Sequence, residues 1–366
     1  MLDTNELQFL ALVHLGLSPT AGIPEILHNP IEWDNIFDKA KKQTLIGIIF
    51  DSITKLPAEQ RPEKRLFLQW CATVAYIEKK NRLAEDIIEE VVSKYKSTGI
   101  DSVLLKGQGL AQYYPIPHHR QPGDIDLYFF DKYEKANEVA SDWEGVNIKP
   151  ETTYHTAFTY KSQEIENHQQ YVDFYNKRNK ERWNIIESKI PLTGKEVLTV
   201  KGVSVAIPQP QMNVLYTFLH IMHHLLQVGV GLRQLCDLTC LWRETHDKID
   251  KEQFLWCIDT LKVRRAMTAV TYIMQEYLGL EKEIVPLDTT SKQAIEDGEF
   301  ILRDILNVGN FGMHTGIMQG FKRNKHIKNT KNYFLAFKRQ MSLLKIYPSE
   351  VIAYPFEWLK SKIMNK

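Results

Sequence analysis

Asp124-Ile125-Asp126-Leu127-Tyr128-Phe129 alternates with the two-residue period of a β-strand. On a strand, both carboxylates project to one side while Ile125 and Leu127 enter a core on the other. Two like charges held side by side repel unless a cation or proton sits between them. Hard oxygen ligands in that arrangement suit Mg²⁺ or Mn²⁺ bridging to phosphate oxygens. The competing account of D-x-D alone is a strand with one solvated face, so the flanking sequence has to decide.

Upstream, Val103-Leu104-Leu105 reads as a short buried strand that runs into Lys106-Gly107-Gln108-Gly109 and then a helical turn over 110–114. Glycines at a helix start let backbone N–H groups approach a phosphate, and Lys106 adds a positive charge there. Downstream, Tyr171-Val172-Asp173-Phe174-Tyr175 is a further strand pattern in which Asp173 is the only acid. A third carboxylate beside a D-x-D pair is what two-metal phosphoryl chemistry requires. Hairpin strands are expected over 154–175 and 197–207, with a turn at Lys201-Gly202, and a helix over 132–143. The centre, residues 98–208, is therefore a mixed α/β unit.

Helical periodicity surrounds it. Residues 1–97 read as an N-terminal helical region, with a long pattern through Trp70, Val74, Ile77, Ile87 and Val91. Residues 209–366 return to helix. Within 212–227, Asn213, Thr217, His220, His224 and Gln227 form one polar stripe on an otherwise apolar helix, and His223 falls off it. Such a stripe faces either a cleft, with His220, His224 and Arg233 near a phosphate or acceptor, or a packing network. Arg233 and Asp237 stand i, i+4 on the next helix, the spacing of an ion pair. His220/His224 with Cys236/Cys240 hint at zinc, but C-x3-C among leucines suits small buried hydrophobes better.

Taken together, Leu105-Lys106-Gly107-Gln108-Gly109-Leu110, Tyr114-Pro115, Arg120 and Asp124-Ile125-Asp126-Leu127 resemble the uncharacterised nucleotidyltransferase family of the DNA polymerase β-like superfamily. Gly229-Val230-Gly231-Leu232-Arg233-Gln234-Leu235-Cys236-Asp237 and Gly309-Asn310-Phe311-Gly312 extend the resemblance over about residues 100–315. It implies an α+β fold, a small mixed sheet between helical flanks, acting on a nucleoside triphosphate with Mg²⁺ or Mn²⁺. Asp124 and Asp126 match the metal-binding pair, and Asp173 is the implied third carboxylate. Lys106, Gly107, Gln108 and Gly109 stand at the phosphate turn, where Lys106-Gly107-Gln108 replaces the usual Gly-Ser; Arg120 is a further phosphate candidate. The activity implied is transfer of a nucleoside monophosphate to a small-molecule, protein or RNA acceptor. The altered turn points to the alternative, a degenerate nucleotide-binding or regulatory module without turnover.

Composition sets the outer bounds. The chain has 366 residues, 43% hydrophobic and 25% charged, which excludes disordered, collagen-like and disulfide-scaffold classes. Four scattered cysteines, an N-terminus without a basic leader and no apolar run of membrane-spanning length lead us to expect a cytoplasmic protein. The net charge of +1 hides an asymmetry, because residues 321–366 carry 11 Lys/Arg against Glu350 and Glu357. Lys322, Arg323, Lys325, Lys328, Lys331, Lys338 and Arg339 interleave with Tyr333, Phe334 and Phe337, which leaves a nucleic-acid partner open. Helical spacing of the apolar positions favours a packed amphipathic element instead.

Overall fold

A computed structural model describes residues 2–150, 155–227, 229–309 and 339–364, with side chains of residues 357–364 outside the description. The basic-aromatic run over 322–338 and the Asn310-Phe311-Gly312 segment lie outside the described residues.

Four helices precede the sheet: α1 (Thr4–Leu17), α2 (Trp33–Gln43), α3 (Ile46–Lys55) and the 34-residue α4 (Lys64–Ser97). The central unit follows as β1 (Val103–Leu104), α5 (Gly107–Ala111), β2 (Ile125–Tyr128), α6 (Tyr133–Ser141), β3 (Lys149–Pro150), β4 (His155–Tyr160), β5 (Gln163–His168), α7 (Lys177–Lys189), β6 (Thr193–Val200) and β7 (Val203–Pro208). Next come α8 (Pro210–Gln227), α9 (Leu232–Thr245), α10 (Lys251–Thr260), α11 (Arg264–Tyr277), α12 (Lys292–Val308) and α13 (Pro348–Met364). The strands form one mixed sheet in the order β3-β4-β5-β2-β1-β7-β6, with β2/β5 and β1/β7 parallel. The expected α+β architecture, a mixed sheet between helical flanks, is what the chain adopts. No helix among the described residues is long and apolar enough to cross a membrane.

One local expectation changes, and one helix lies where none was expected. Tyr171–Tyr175 is a loop, because β5 ends at His168 and the chain leaves the sheet there. Its apolar residues pack against helices instead, Tyr171 onto Trp183 and Tyr216. The strongly polar stretch that forms α7 buries only Asn179, Trp183 and Ile186, so its period is faint in the sequence.

The sheet's two faces differ in chemistry. Ile125, Leu127, Ile165, Val205 and Ile207 pack with Ile87, Val91 and Tyr95 of α4 and Ala136 and Ala140 of α6. Fully burying each such aliphatic side chain is worth roughly 1.5–3 kcal/mol. A larger core joins helices from both ends of the chain, for example Phe9, Ile49 and Trp70 with Leu215, Leu238 and Val270. Helix α4 contributes to both: Trp70, Val74 and Ile77 to the helical core, Ile87 onward to the sheet core. At the crossover, buried Asn81 donates to the His118 and Arg120 carbonyls at 2.7 and 2.9 Å and accepts from Gln108 at 3.1 Å. One amide thereby ties α4 to the turn after β1 and to the segment leading into β2.

That segment is clamped a second time. His119 Nδ1 lies 2.5 Å from Asp51 and Nε2 3.1 Å from Glu78, so each ring nitrogen faces a carboxylate. Helix α3 comes so close that a Cβ on Gly47 would stand 2.1 Å from the His119 carbonyl oxygen, which only glycine allows. Burial alone would lower the imidazole pKa, but the two carboxylates raise it above the usual histidine value. A raised histidine pKa contributes stability that is complete below about pH 6.5 and is lost as pH rises through the folded value. The clamp's contribution therefore falls from pH 6.5 upward in thermal denaturation, and His119→Gln removes that part of the pH dependence while costing on the order of 1 kcal/mol at pH 6. An unchanged slope in the variant contradicts the clamp.

Candidate active site

Strands β2 and β5 pair in parallel with Asp126 opposite Glu166 and Tyr128 opposite His168; β4 runs antiparallel with His155 opposite His168. Because side chains alternate along a strand, this register places Asp124, Asp126, Glu166, His168 and His155 on one face. Asp124, Asp126 and Glu166 each offer an oxygen, all within 4.8 Å of one another.

Asp126 sits at the centre, 2% exposed. Burial alone would raise its pKa, yet Lys106 Nζ and His168 Nε2, each 2.9 Å from Oδ1, hold it well below the usual carboxylate range. His168 also reaches Glu166 at 3.2 Å, and although burial opposes its charge these partners push its pKa up to about 9. Lys106 is likewise held above its ordinary value against the cost of burial, chiefly by Asp126. Asp124 lacks such a partner: the Asp126 charge first, then burial, push it up to about 6. Asp126 Oδ2 is buried with no hydrogen-bond partner among the described residues. A carboxylate trio with repulsion at Asp124 and an orphaned buried oxygen fits a bound cation.

Lys106 reaches Asp126 from the turn after β1. Gly107 takes a φ of +48°, a conformation that residues with a Cβ rarely adopt, so the glycine lets the chain turn beside the entry to β2.

The carboxylates line a cavity of about 560 Å³. Lys106, Gly107, Arg120, Asp124, Asp126, Asp173, His220, His224 and Arg233 all contribute to its lining, so the structure brings together most of the residues singled out in the sequence. Gln108 and Gly109 do not: Gln108 turns inward to Asn81, and Gly109 packs near Leu104 and Ile207. Asp173 lines the cavity from its loop rather than from a strand, and it stands outside the three-carboxylate group. Burial raises its pKa, opposed by the nearby His223 and Lys180.

Arg120 forms a buried two-pronged pair with Asp237 at 2.7 and 2.9 Å, and Tyr114 donates to the same carboxylate at 2.6 Å. The Arg233–Asp237 pair expected from i, i+4 spacing is thus replaced, because Arg120 reaches both carboxylate oxygens at once. Arg233 instead donates to the Gln121 carbonyl at 2.7 Å, and its Nε has no partner among the described residues. On α8, burial pushes the pKa values of His220 and His224 well below the histidine norm, so both are neutral imidazoles near pH 7. Their rings meet edge to face at 4.3 Å. His223, off the predicted stripe, also lines the cavity and stacks on Tyr175 at 5.3 Å. A purely helical stripe misses it because the cavity wraps more than one line of residues. Cys236 and Cys240 stay buried thiols whose pKa burial raises, and among the described residues they form no metal-ligating group.

Glu166, His168, His155 and Glu350 escaped the sequence reading. Glu166 and His168 share the face of Asp126 through the alternation Glu164-Ile165-Glu166-Asn167-His168, a signal that only the neighbouring strand makes meaningful. Glu350, from α13, is 2% exposed and accepts from the Tyr175 amide at 2.7 Å and from Asn179 Nδ2 at 2.6 Å. It anchors the loop that carries Asp173, from a position 177 residues away in the chain.

The uncharacterised nucleotidyltransferase family model matches residues 29–279, and the chain belongs to that family. Among solved structures it is similar to the crystal structure of an antigenic nucleotidyltransferase-like protein from Paracoccidioides brasiliensis, at 11% identity and a TM-score of 0.33, over 54% of this chain and 92% of that one. No match is found among curated proteins.

Two stability measurements follow from this geometry, both on metal-free protein. Asp124→Asn relieves repulsion and leaves the protein as stable or more so, whereas Asp126→Asn strands Lys106 and His168 and destabilises it by roughly 1–3 kcal/mol. Equal effects from the two contradict the asymmetry. Removing one partner of the Arg120–Asp237 pair, as in Asp237→Leu, costs about 3–5 kcal/mol in urea denaturation, and the double variant Arg120→Met/Asp237→Leu recovers most of it. Additive losses would instead show that Arg120 acts apart from Asp237.

Proposed function

We propose that this member of the uncharacterised nucleotidyltransferase family transfers a nucleoside monophosphate from a nucleoside triphosphate to an acceptor, releasing pyrophosphate. The observation that carries the reading is the trio Asp124, Asp126 and Glu166, gathered within 4.8 Å at the wall of a cavity of about 560 Å³, a volume suited to a nucleotide. Asp124 and Asp126, with Glu166, would hold Mg²⁺ or Mn²⁺. When bound, such ions neutralise the triphosphate and stabilise the attacking and leaving oxygens.

The chain's own residues would do the rest. Arg233, with its unpartnered Nε, and Lys106, once it exchanges Asp126 for a phosphate, would hold the triphosphate. Neutral His220 and His224 would each donate one hydrogen bond without adding charge. The acceptor oxygen forms its bond to the α-phosphorus as the bond to the bridging oxygen of the β-phosphate breaks. The acceptor proton passes to Asp173, whose buried carboxylate has a raised pKa, and pyrophosphate leaves with the bonding electrons.

A second reading, nucleotide binding without turnover, is favoured by the engagement of Lys106 with Asp126 and of Arg120 with Asp237. Pyrophosphate release separates the two. Titration with each nucleoside triphosphate in the presence of Mg²⁺ or Mn²⁺, followed by labelled-nucleotide transfer to small-molecule, protein and RNA pools, is expected to show metal-dependent binding and transfer. Asp124→Asn and Asp126→Asn reduce both by roughly 100-fold or more, the scale of a lost charge-stabilising group. Wild-type affinity and turnover in both variants would overturn the assignment.

A further inference from the structure

We propose that His155, Glu166 and His168 form a binding site for a divalent transition-metal ion of the Mn²⁺, Co²⁺ or Zn²⁺ class, distinct from the oxygen-only group of Asp124 and Asp126 and sharing Glu166 with it. One ligand atom from each of the three residues lies within 4.8 Å of the others. The placement comes from the sheet itself. His155 and His168 are direct partners across the antiparallel β4/β5 ladder, and Glu166 stands two residues before His168 on the same face. The two rings lie 5.3 Å apart and 33° from coplanar. Ligands carried on paired strands hold their spacing better than ligands on loops.

The donor set chooses the ion. Two imidazoles and a carboxylate suit Mn²⁺, Fe²⁺, Co²⁺ or Zn²⁺, whereas Mg²⁺ takes oxygen ligands and keeps its waters. Metal binding would release the proton through which His168 now meets Asp126, 2.9 Å away, and the ion's charge would take its place, while Asp173 is within electrostatic reach of His155. If His168 served only to neutralise Asp126, the histidine directly across the ladder would have no part in metal capture. The inference concerns metal binding and stands whether or not the cavity turns nucleotide over.

The test uses the full chain stripped with a chelator and titrated with Co²⁺ and Mg²⁺. Wild-type protein is expected to bind Co²⁺ with nitrogen ligation in its visible absorption bands. His155→Gln and His155→Ala weaken Co²⁺ binding at least about tenfold, the lower end of the loss seen even for indirect partners of a metal ligand, and leave Mg²⁺ affinity unchanged. Asp124→Asn does the reverse, which separates this site from the carboxylate site behind the nucleotidyl-transfer reading. Wild-type Co²⁺ affinity in both folded His155 variants overturns the proposal. Pulsed electron paramagnetic resonance of Mn²⁺-loaded wild-type protein decides it independently of any variant: imidazole nitrogen coupling supports the site, and its absence refutes it.

Discussion

A carboxylate buried at 2% exposure in the middle of a sheet must have its charge met, and Asp126 imposes that demand on everything around it. Lys106 meets it from one side only because the turn at Gly107 brings the ammonium back over β2. His168 meets it from the other only because β5 runs parallel to β2 in the register that sets Asp126 beside Glu166. Two cations then balance one fully buried acid, while Asp124 and Glu166 add further negative charge. The result is a polar face that gathers charge of both signs, on a sheet whose opposite face is aliphatic.

Holding that face open to a cavity falls to the helices. Asn81 fixes the carbonyls of His118 and Arg120, His119 bridges Asp51 and Glu78, and Arg120 grips Asp237 on α9. The segment between α5 and β2 is therefore tied to the N-terminal helices at one point and to the C-terminal helices at another. Its basic residues serve as struts more than as ligands. Arg233, displaced from Asp237, lines the cavity, and burial together with the Arg120 charge lowers its pKa. Neutral histidines on α8 complete a wall able to hydrogen-bond an anion without overcompensating the carboxylates opposite. Glu350 extends the same logic to the loop of Asp173, where burial pushes its own pKa up to about 7 and four hydrogen-bond contacts from Tyr175, Asn176 and Asn179 hold it in place.

Much of this was legible in the chain because it depends on near neighbours. The alternation at Asp124–Phe129 announces a strand with two faces, the long period from Trp70 to Val91 announces α4, and Lys201-Gly202 announces the β6/β7 turn, where both residues take positive φ. Thr217, His220, His224 and Gln227 of the α8 stripe line the cavity, whereas Asn213 is buried away from it. Where the local signal weakens, so does the reading: α7 buries three residues in thirteen, and the Tyr171–Tyr175 stretch has a strand's pattern but no strand beside it to complete a ladder.

The sequence by itself determined most of the elements, the paired acids and the family to which they belong, since propensity, period and motif all act over a few residues. Only the tertiary structure decided which groups those acids meet. Glu166 and His168 join Asp126 through an inter-strand register, Arg120 displaces Arg233 at Asp237 across 117 residues, and Glu350 arrives from the far end of the chain. Each is a competition among partners distant in sequence, settled by which geometry satisfies the most buried charge, and no local pattern encodes that outcome.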